Sequence, residues 1–151
     1  MIDDETAALI AEMRADYPHC FACGPNNPVG LHLEPARVEG ETAVAGFDPS
    51  PHHVGAGDIL HGGLAATVLD EIMVWAAILT HRVLCVTGTM EIRFRRPVSV
   101  GQKLTVRGFV EDRRGRRLRC AAELATGGEA AVTASGLYLV SRTLDGGSAT
   151  S

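Results

Sequence analysis

The sequence lacks three features that would each point to a particular class of protein. It has no excess of positive charge, because 14 Lys and Arg residues stand against 18 Asp and Glu residues. This balance argues against nucleic acid or an anionic membrane as the main partner. The opening MIDDET is acidic, whereas a secretory signal is basic and then apolar. The one long apolar stretch, at 61–81, contains two acids and is too short for a membrane span of ~20 apolar residues. We therefore expect a cytosolic protein with no nucleic-acid or membrane partner.

Closely spaced cysteines are also scarce. Only Cys20 and Cys23, in the segment CFACG, are neighbours, and the other two of the four cysteines are solitary. One such pair is half of a zinc site. His19 and His32 lie near it in sequence, which leaves a mixed Cys/His site open. The simpler interpretation is two reduced thiols in a tight turn made by the following Gly-Pro, and we expect no metal and no cofactor.

Apolar periodicity and turn residues predict the order of the elements. We expect helices at 4–16 and 61–81, and strands at 31–38, 41–47, 83–96, 102–112, 117–126 and 129–141. Two strands, a helix and four further strands are typical of an α+β fold in which one curved antiparallel sheet wraps a helix. The predicted organisation is an N-terminal helical extension at 1–17, one domain at 18–142 and a disordered tail at 143–151.

The second helix is almost entirely apolar. Between Leu64 and Leu79, thirteen of sixteen residues are Ala, Val, Leu, Ile, Met or Trp. Such a helix needs cover on several sides, and one sheet covers only one of them. A second sheet from a partner subunit would supply the rest, so we expect a homodimer, with a dimer of dimers left open.

The strand at 83–96 has two different faces. Period-two alternation separates an apolar set from a polar set, namely Val86, Gly88, Met90, Ile92 and Phe94 against Thr87, Thr89, Glu91, Arg93 and Arg95. The polar set is either an ordinary solvent face or part of a chemical site, and the alternation by itself favours neither.

Three motifs carry a resemblance to a known family. CFACGPNNPVGLHL (20–33), HGGLAATVLD (61–70) and VTGTMEIRFRRPV (86–98), in this order and separation, resemble the hotdog-fold acyl-CoA thioesterases, in particular the branch similar to the phenylacetate-pathway (PaaI-like) enzymes. The similarity covers most of residues 18–140. It implies a six-stranded antiparallel sheet around a long central helix, active sites at a dimer interface, and hydrolysis of acyl-CoA to free acid and CoA.

The resemblance also implies roles for individual residues. It places the catalytic carboxylate, as general base or nucleophile, at Asp70. It places the backbone N–H that holds the thioester oxygen at Gly62, with Gly63 beside it as a substrate contact. The hydroxyl that positions water falls on Thr87, contributed by the other subunit, and a histidine near the sulfur or carbonyl falls on His61.

The chemistry of a thioester supports this arrangement. Attack on the carbonyl builds negative charge on oxygen, which unpaired N–H groups at a helix N-terminus stabilise. Asp70, however, lies nine residues after His61, or about 13 Å along a helix. One helix therefore cannot bring both ends to the same carbonyl, and this distance favours a site shared between two subunits.

Several alternatives stay open. Glu71 is the rival acid: it points about 100° away from Asp70 on a helix and either pairs with an arginine or serves as the base. Arg95 and Arg96 are candidates for the phosphates of CoA, because guanidinium groups bind phosphate bidentately, or they are ordinary surface charges. The alternative function is a non-catalytic acyl-CoA-binding or regulatory module that keeps the pocket without turnover.

Overall fold

The computed structural model describes residues 2–144, in which one antiparallel sheet curves around one long helix. The elements are α1 (Asp4–Asp16), β1 (Pro35–Glu39), β2 (Thr42–Phe47), α2 (Gly62–His81), β3 (Val83–Phe94), β4 (Leu104–Arg114), β5 (Arg117–Thr126) and β6 (Glu129–Thr143). The strand order is β1-β2-β4-β5-β6-β3, and each neighbouring pair is antiparallel. The predicted α+β architecture of six strands, a long central helix and a short N-terminal helix is confirmed.

The helix α2 forms the centre of the core. His61 caps its start, and Arg82 ends it in the left-handed conformation, at φ 54°. Its apolar residues pack under the sheet, and the buried ones are Ala65, Val68, Leu69, Ile72, Met73, Trp75, Ala76, Ala77 and Ile78. By length and composition alone α2 could cross a membrane. Its packing inside the sheet is instead that of a core helix.

The N-terminal helix α1 has the predicted bounds. The Asp3 carboxylate caps it by accepting a hydrogen bond from the Thr6 N–H at 2.7 Å. Leu9, Ile10 and Met13 are its buried residues, and all three belong to the core. The extension is therefore packed onto the domain and contributes to its core.

Several predicted boundaries shift by one or two residues in the structure, and the differences at β1 and β6 have structural consequences. Residues 31–34 are not part of β1: the N–H groups of Leu31 and Leu33 donate to the carbonyls of Phe21 and Ala22 in the preceding loop, and His32 has a φ of 54°. At the other end, β6 runs through Thr143 and Leu144 is buried. The predicted tail at 143–151 therefore begins too early, and its remainder, 145–151, lies outside the described residues.

The sheet lies close against α2 at Gly108 in β4. A Cβ atom there would lie 2.7 Å from the carbonyl oxygen of Ile72 and 2.9 Å from its carbonyl carbon. Both are backbone atoms of α2, so neither can rotate away. Glycine at this position lets the strand and helix come together.

We expect Gly108→Ala to destabilise the fold by about 1–3 kcal/mol through overpacking. Gly46→Ala on β2 is the matched control, because a Cβ there meets nothing within 4 Å. Chemical denaturation of the two variants measures both free energies of unfolding. Equal free energies of unfolding for the two variants would show that α2 moves to accommodate a methyl group at Gly108 without loss of stability.

Candidate active site

The Asp70 carboxylate is held by two hydroxyl groups. It lies on α2, partly buried, and its Oδ1 accepts one hydrogen bond from Thr87 Oγ1 and one from the Tyr138 hydroxyl, both at 2.7 Å. Both bonds fall on the same oxygen, and within residues 2–144 no protein donor reaches Oδ2. The carboxylate is thus fixed in orientation while one oxygen stays free for water or substrate.

The two donors come from neighbouring strands. Thr87 on β3 is paired directly with Tyr138 on β6, and the register shifts between Thr87 and Thr89. The shift is a β-bulge at Gly88, which reverses the alternation of side chains along β3. The predicted faces are therefore wrong near the bulge: Thr87, although exposed, lies on the same side of β3 as Asp70, and the adjacent Val86 is 55% exposed.

Thr87 reaches Asp70 within one chain. The resemblance places this hydroxyl in the other subunit, and the hydrogen bond assigns it to the same chain as Asp70. That both belong to the subunit opposite the Gly62 amide stays a prediction. Thr87, Asp70 and Tyr138 form one unit of a single protomer, which we call the acid half of the site.

Tyr138 is absent from the sequence predictions. Its side chain is fully buried, and burial together with the Asp70 carboxylate raises the pKa of its hydroxyl well above the ordinary value. At neutral pH the hydroxyl therefore stays protonated and donates to the carboxylate. One feature of the sequence could have indicated Tyr138: it is a tyrosine within an apolar strand, and a buried hydroxyl requires a hydrogen-bond partner. The sequence does not identify that partner.

We expect Tyr138→Phe to lower kcat by about 10–100-fold, because hydrogen bonds to charged groups contribute about 1.5–3 kcal/mol. Tyr17→Phe is the control: it changes the second of the two tyrosines, whose hydroxyl, within the described part of the chain, meets only Arg142 at the surface. Steady-state hydrolysis of an acyl-CoA measures both variants. A full wild-type kcat in Tyr138→Phe would mean that this hydroxyl does not orient the acid.

The start of α2 presents one free N–H group. The His61 side chain caps the helix, with Nδ1 accepting from the Gly63 N–H at 2.9 Å. The His61 N–H in turn donates to the carbonyl of His53 at 2.9 Å. The Gly63 N–H, expected to contact substrate, is therefore occupied. The Gly62 N–H is exposed and has no acceptor in the described part of the chain, as an oxyanion donor requires.

The structure does not bring Gly62 and Asp70 of one chain together. They are eight residues apart on α2, about 12 Å along its axis. The ring of Phe94, at the end of β3, lies beside Gly62, since a Cβ at that glycine would be 3.5 Å from two ring carbons. Gly62, His61 and Phe94 form a second unit, which we call the amide half.

Glu71 lies in a different environment from Asp70. Its carboxylate oxygen and the sulfur atoms of Cys20 and Cys23 lie within 4.8 Å of one another. Burial, reinforced by the nearby Asp70 charge, raises the pKa of Glu71, whereas the neighbouring Cys23 and Trp75 side chains act to lower it. Burial also raises the pKa of the Cys23 thiol strongly. No arginine pairs with Glu71 among residues 2–144, so the expected ion pair is absent there.

A cavity of about 260 Å³ adjoins Glu71. Its walls come from α1, the loop at 18–30, α2 and β3, and are largely apolar, with Met13, Trp75, Ile78 and Leu84 among them. Tyr17 and Val86, which also line the cavity, are 42% and 55% exposed, so the cavity borders the surface.

The two candidate phosphate-binding arginines differ in their partners. Arg96 binds Glu129, with its Nη1 2.7 Å from the carboxylate and its Nη2 2.9 Å from the backbone carbonyl. Arg95 is exposed and forms no ion pair with any described residue. Of the two, Arg95 keeps its guanidinium available for an anionic ligand.

Comparison with known proteins assigns the family. The family model of the thioesterase superfamily matches residues 57–133, just over half of the chain, from the loop before α2 into β6. The chain belongs to the thioesterase superfamily. Membership confirms the resemblance drawn from the three motifs. No curated protein matches the sequence.

Solved structures confirm the hotdog fold of this superfamily member. The crystal structure of a thioesterase superfamily protein aligns with a TM-score of 0.75 at 22% identity, over 81% of this chain and 60% of that one. A hypothetical thioesterase from Streptococcus pneumoniae, solved with coenzyme A, aligns with a TM-score of 0.69 at 16% identity, over 75% of this chain and 91% of that one. A mutant of the phenylacetic acid degradation protein PaaI from Thermus thermophilus aligns with a TM-score of 0.66 at 18% identity, over 72% of this chain and 93% of that one. This chain thus spans 60% of the length of the first of these relatives.

Proposed function

We propose that this superfamily member is an acyl-CoA thioesterase in which Asp70 activates water or attacks the thioester itself. The observation that carries this proposal is the Asp70 carboxylate, oriented by two hydroxyl donors on Oδ1 and open at Oδ2. A free, oriented carboxylate oxygen is the group that general-base or nucleophilic attack needs. Thr87 and Tyr138 are positioning residues in this mechanism, since they act through the carboxylate.

The Gly62 N–H supplies the second requirement of the reaction. As the carbonyl is attacked, its oxygen becomes negative, and a preorganised N–H at the positive end of a helix stabilises it. His61 holds the first turn of the helix in place by accepting a hydrogen bond from the neighbouring Gly63 N–H. The Gly62 N–H is thereby left as the free donor of this turn.

A CoA thioester is the substrate that best fits these features. The Streptococcus pneumoniae thioesterase was solved with coenzyme A, and Arg95 offers an unpaired guanidinium near the end of the strand that contacts Gly62. Guanidinium groups bind phosphate in a bidentate manner. Arg95 is therefore the proposed contact for the phosphates of CoA, and Arg96 is a weaker candidate because Glu129 occupies it.

The complete site requires two copies of the chain. The acid half and the amide half of one chain are too far apart to share one carbonyl, by the helix spacing above. A second copy with its α2 antiparallel to the first would bring its Gly62 to Asp70. The free edge of β3, where Val86 and Phe94 are 55% and 56% exposed, is a surface that such a copy would cover. We therefore propose a homodimer, with further pairing of dimers open.

The deciding experiment is a hydrolysis screen with the wild-type protein. Short, long and aromatic acyl-CoAs are supplied, and the release of the CoA thiol is followed while light scattering gives the mass in solution. We expect turnover of at least one acyl class by a dimer or a multiple of it. A monomer that hydrolyses at full rate would contradict the shared site.

The alternative is a non-catalytic acyl-CoA-binding module. It predicts binding of acyl-CoA, measured by calorimetry, with no turnover of any acyl class. The oriented carboxylate favours the enzyme, because a binding module has no use for an acid aimed at the thioester.

A further inference from the structure

Three side chains that could bind a metal ion meet beside the cavity. None of them takes part in the hydrogen bonds of the acid half. The sulfur atoms of Cys20 and Cys23 and a carboxylate oxygen of Glu71 all lie within 4.8 Å of one another. Cys23 is buried, and the other two are partly buried. Thiolate and carboxylate are both zinc ligands, with metal–ligand distances of about 2.3 Å and 2.0–2.2 Å. Donor atoms at this spacing need only small side-chain movements to share one ion.

The turn that carries the cysteines is closed around Cys20. The Cys23 N–H donates to Cys20 Sγ at 3.5 Å, and the Gly24 N–H donates to the Cys20 carbonyl at 2.8 Å. A Cβ atom on Gly24 would lie 2.4 Å from the Cys20 nitrogen, so only glycine fits. A backbone N–H aimed at sulfur orients a thiolate ligand in the same way that outer hydrogen bonds orient ligands at metal sites.

A buried donor without an acceptor lies at the same place. Trp75 is 1% exposed, its Nε1 has no hydrogen-bond partner in the described chain, and it lines the cavity together with the three candidate ligands. Glu71 and Trp75 are four residues apart on α2 and so share a face. A carboxylate that binds a metal through one oxygen leaves the other to accept such an N–H.

We propose that Cys20, Cys23 and Glu71 bind one zinc ion, which fastens the loop at 18–30 to α2. Three protein ligands leave the fourth position of a tetrahedral zinc ion to water or a small ligand, and all three residues border the cavity. The site goes beyond the expectation of two free thiols, because Glu71 joins the pair only in the folded chain. His19 and His32 are not members of the cluster. The proposal does not depend on thioester hydrolysis, since Asp70 has its own separate donors.

The experiment uses the full, reduced chain, stripped with a chelator and titrated with Co²⁺ as a spectroscopic substitute for Zn²⁺. We expect one ion per chain, with thiolate-to-cobalt charge-transfer absorption that Zn²⁺ abolishes by displacement. Cys20→Ser and Cys23→Ser should lose the band, and Glu71→Gln should weaken binding by at least ~10-fold, as losses at metal sites typically do. Cys85→Ala is the matched control, because it removes a thiol from the same cavity wall outside the cluster, and it should bind normally.

The wild-type protein alone is sufficient to overturn the proposal. A folded, reduced chain that shows no charge-transfer band, or none that Zn²⁺ displaces, has no such site. A band that survives Cys20→Ser, in a variant shown to be folded by circular dichroism, places the metal elsewhere. Mass spectrometry that finds a Cys20–Cys23 disulfide, with no cobalt binding after its reduction, also excludes the site.

Discussion

Asp70→Asn should lower kcat for acyl-CoA hydrolysis by about 10²–10⁴-fold, the range that a positioned acid or base contributes. Asparagine has nearly the same shape, and its side-chain oxygen still accepts from Thr87 and Tyr138. The fold and the pocket should therefore survive while the negative oxygen is lost. The measurements are the rate of CoA release and, by calorimetry, the affinity for a non-hydrolysable acyl-CoA analogue, which should change little.

Asp112→Asn is the control for this substitution. Asp112 is an exposed aspartate on β4 whose one ionic partner among residues 2–144 is Arg114, so its loss should leave kcat unaltered. A second variant, Glu71→Gln, tests the rival acid. If Asp70→Asn retains activity while Glu71→Gln loses it, the carboxylate beside the cysteines is the base and the assignment to Asp70 is wrong.

Gly62→Pro should lower kcat by about 10²–10³-fold, the cost of removing one oxyanion donor. Proline deletes the N–H and nothing else that the helix uses, because the first helical position has no intrahelical acceptor for it. The preceding residue suits the change as well: His61 has φ −59° and ψ 131°, within the extended region required before proline. Gly62→Ala keeps the N–H and is the matched control, and it should fold and retain most of the activity unless its methyl group blocks the acyl chain.

Mixing the two inactive variants tests the shared site directly. In a mixed dimer of Asp70→Asn and Gly62→Pro chains, one site combines the intact Asp70 of one chain with the intact Gly62 of the other. Random exchange of subunits makes half of the dimers mixed, so about a quarter of the wild-type rate should return. No recovery after verified exchange would show that each site lies within one chain.

Helices were the most predictable part of the molecule because their signals are local. The predicted helix at 4–16 is α1, and the apolar run at 61–81 is α2 less its capping residue. Caps and periodicity act within one or two turns of the chain, so they survive whatever the rest of the fold does. The Asp70 and Gly62 positions come from motifs within this same helix.

Features that depend on contacts between distant residues were not predictable. The bulge at Gly88 reverses the faces of β3, but period-two alternation assumes an unbroken strand. Tyr138 meets Asp70 only because β6 is the neighbour of β3 in the sheet. In the same way Glu71 joins Cys20 and Cys23 only after the N-terminal loop folds against α2. In each case the determining contact is set by strand order or loop docking, which no local pattern encodes.

One strand connects the acid half and the amide half of a protomer. β3 holds Thr87 against Asp70 near its middle and places Phe94 beside Gly62 at its end. In the proposed dimer these units serve different active sites, so each β3 is a rigid link from one reaction centre to the other. A ligand that displaces this strand on entering the first centre would therefore also shift the residues that β3 contributes to the second. The two active sites of a dimer would then not turn over independently.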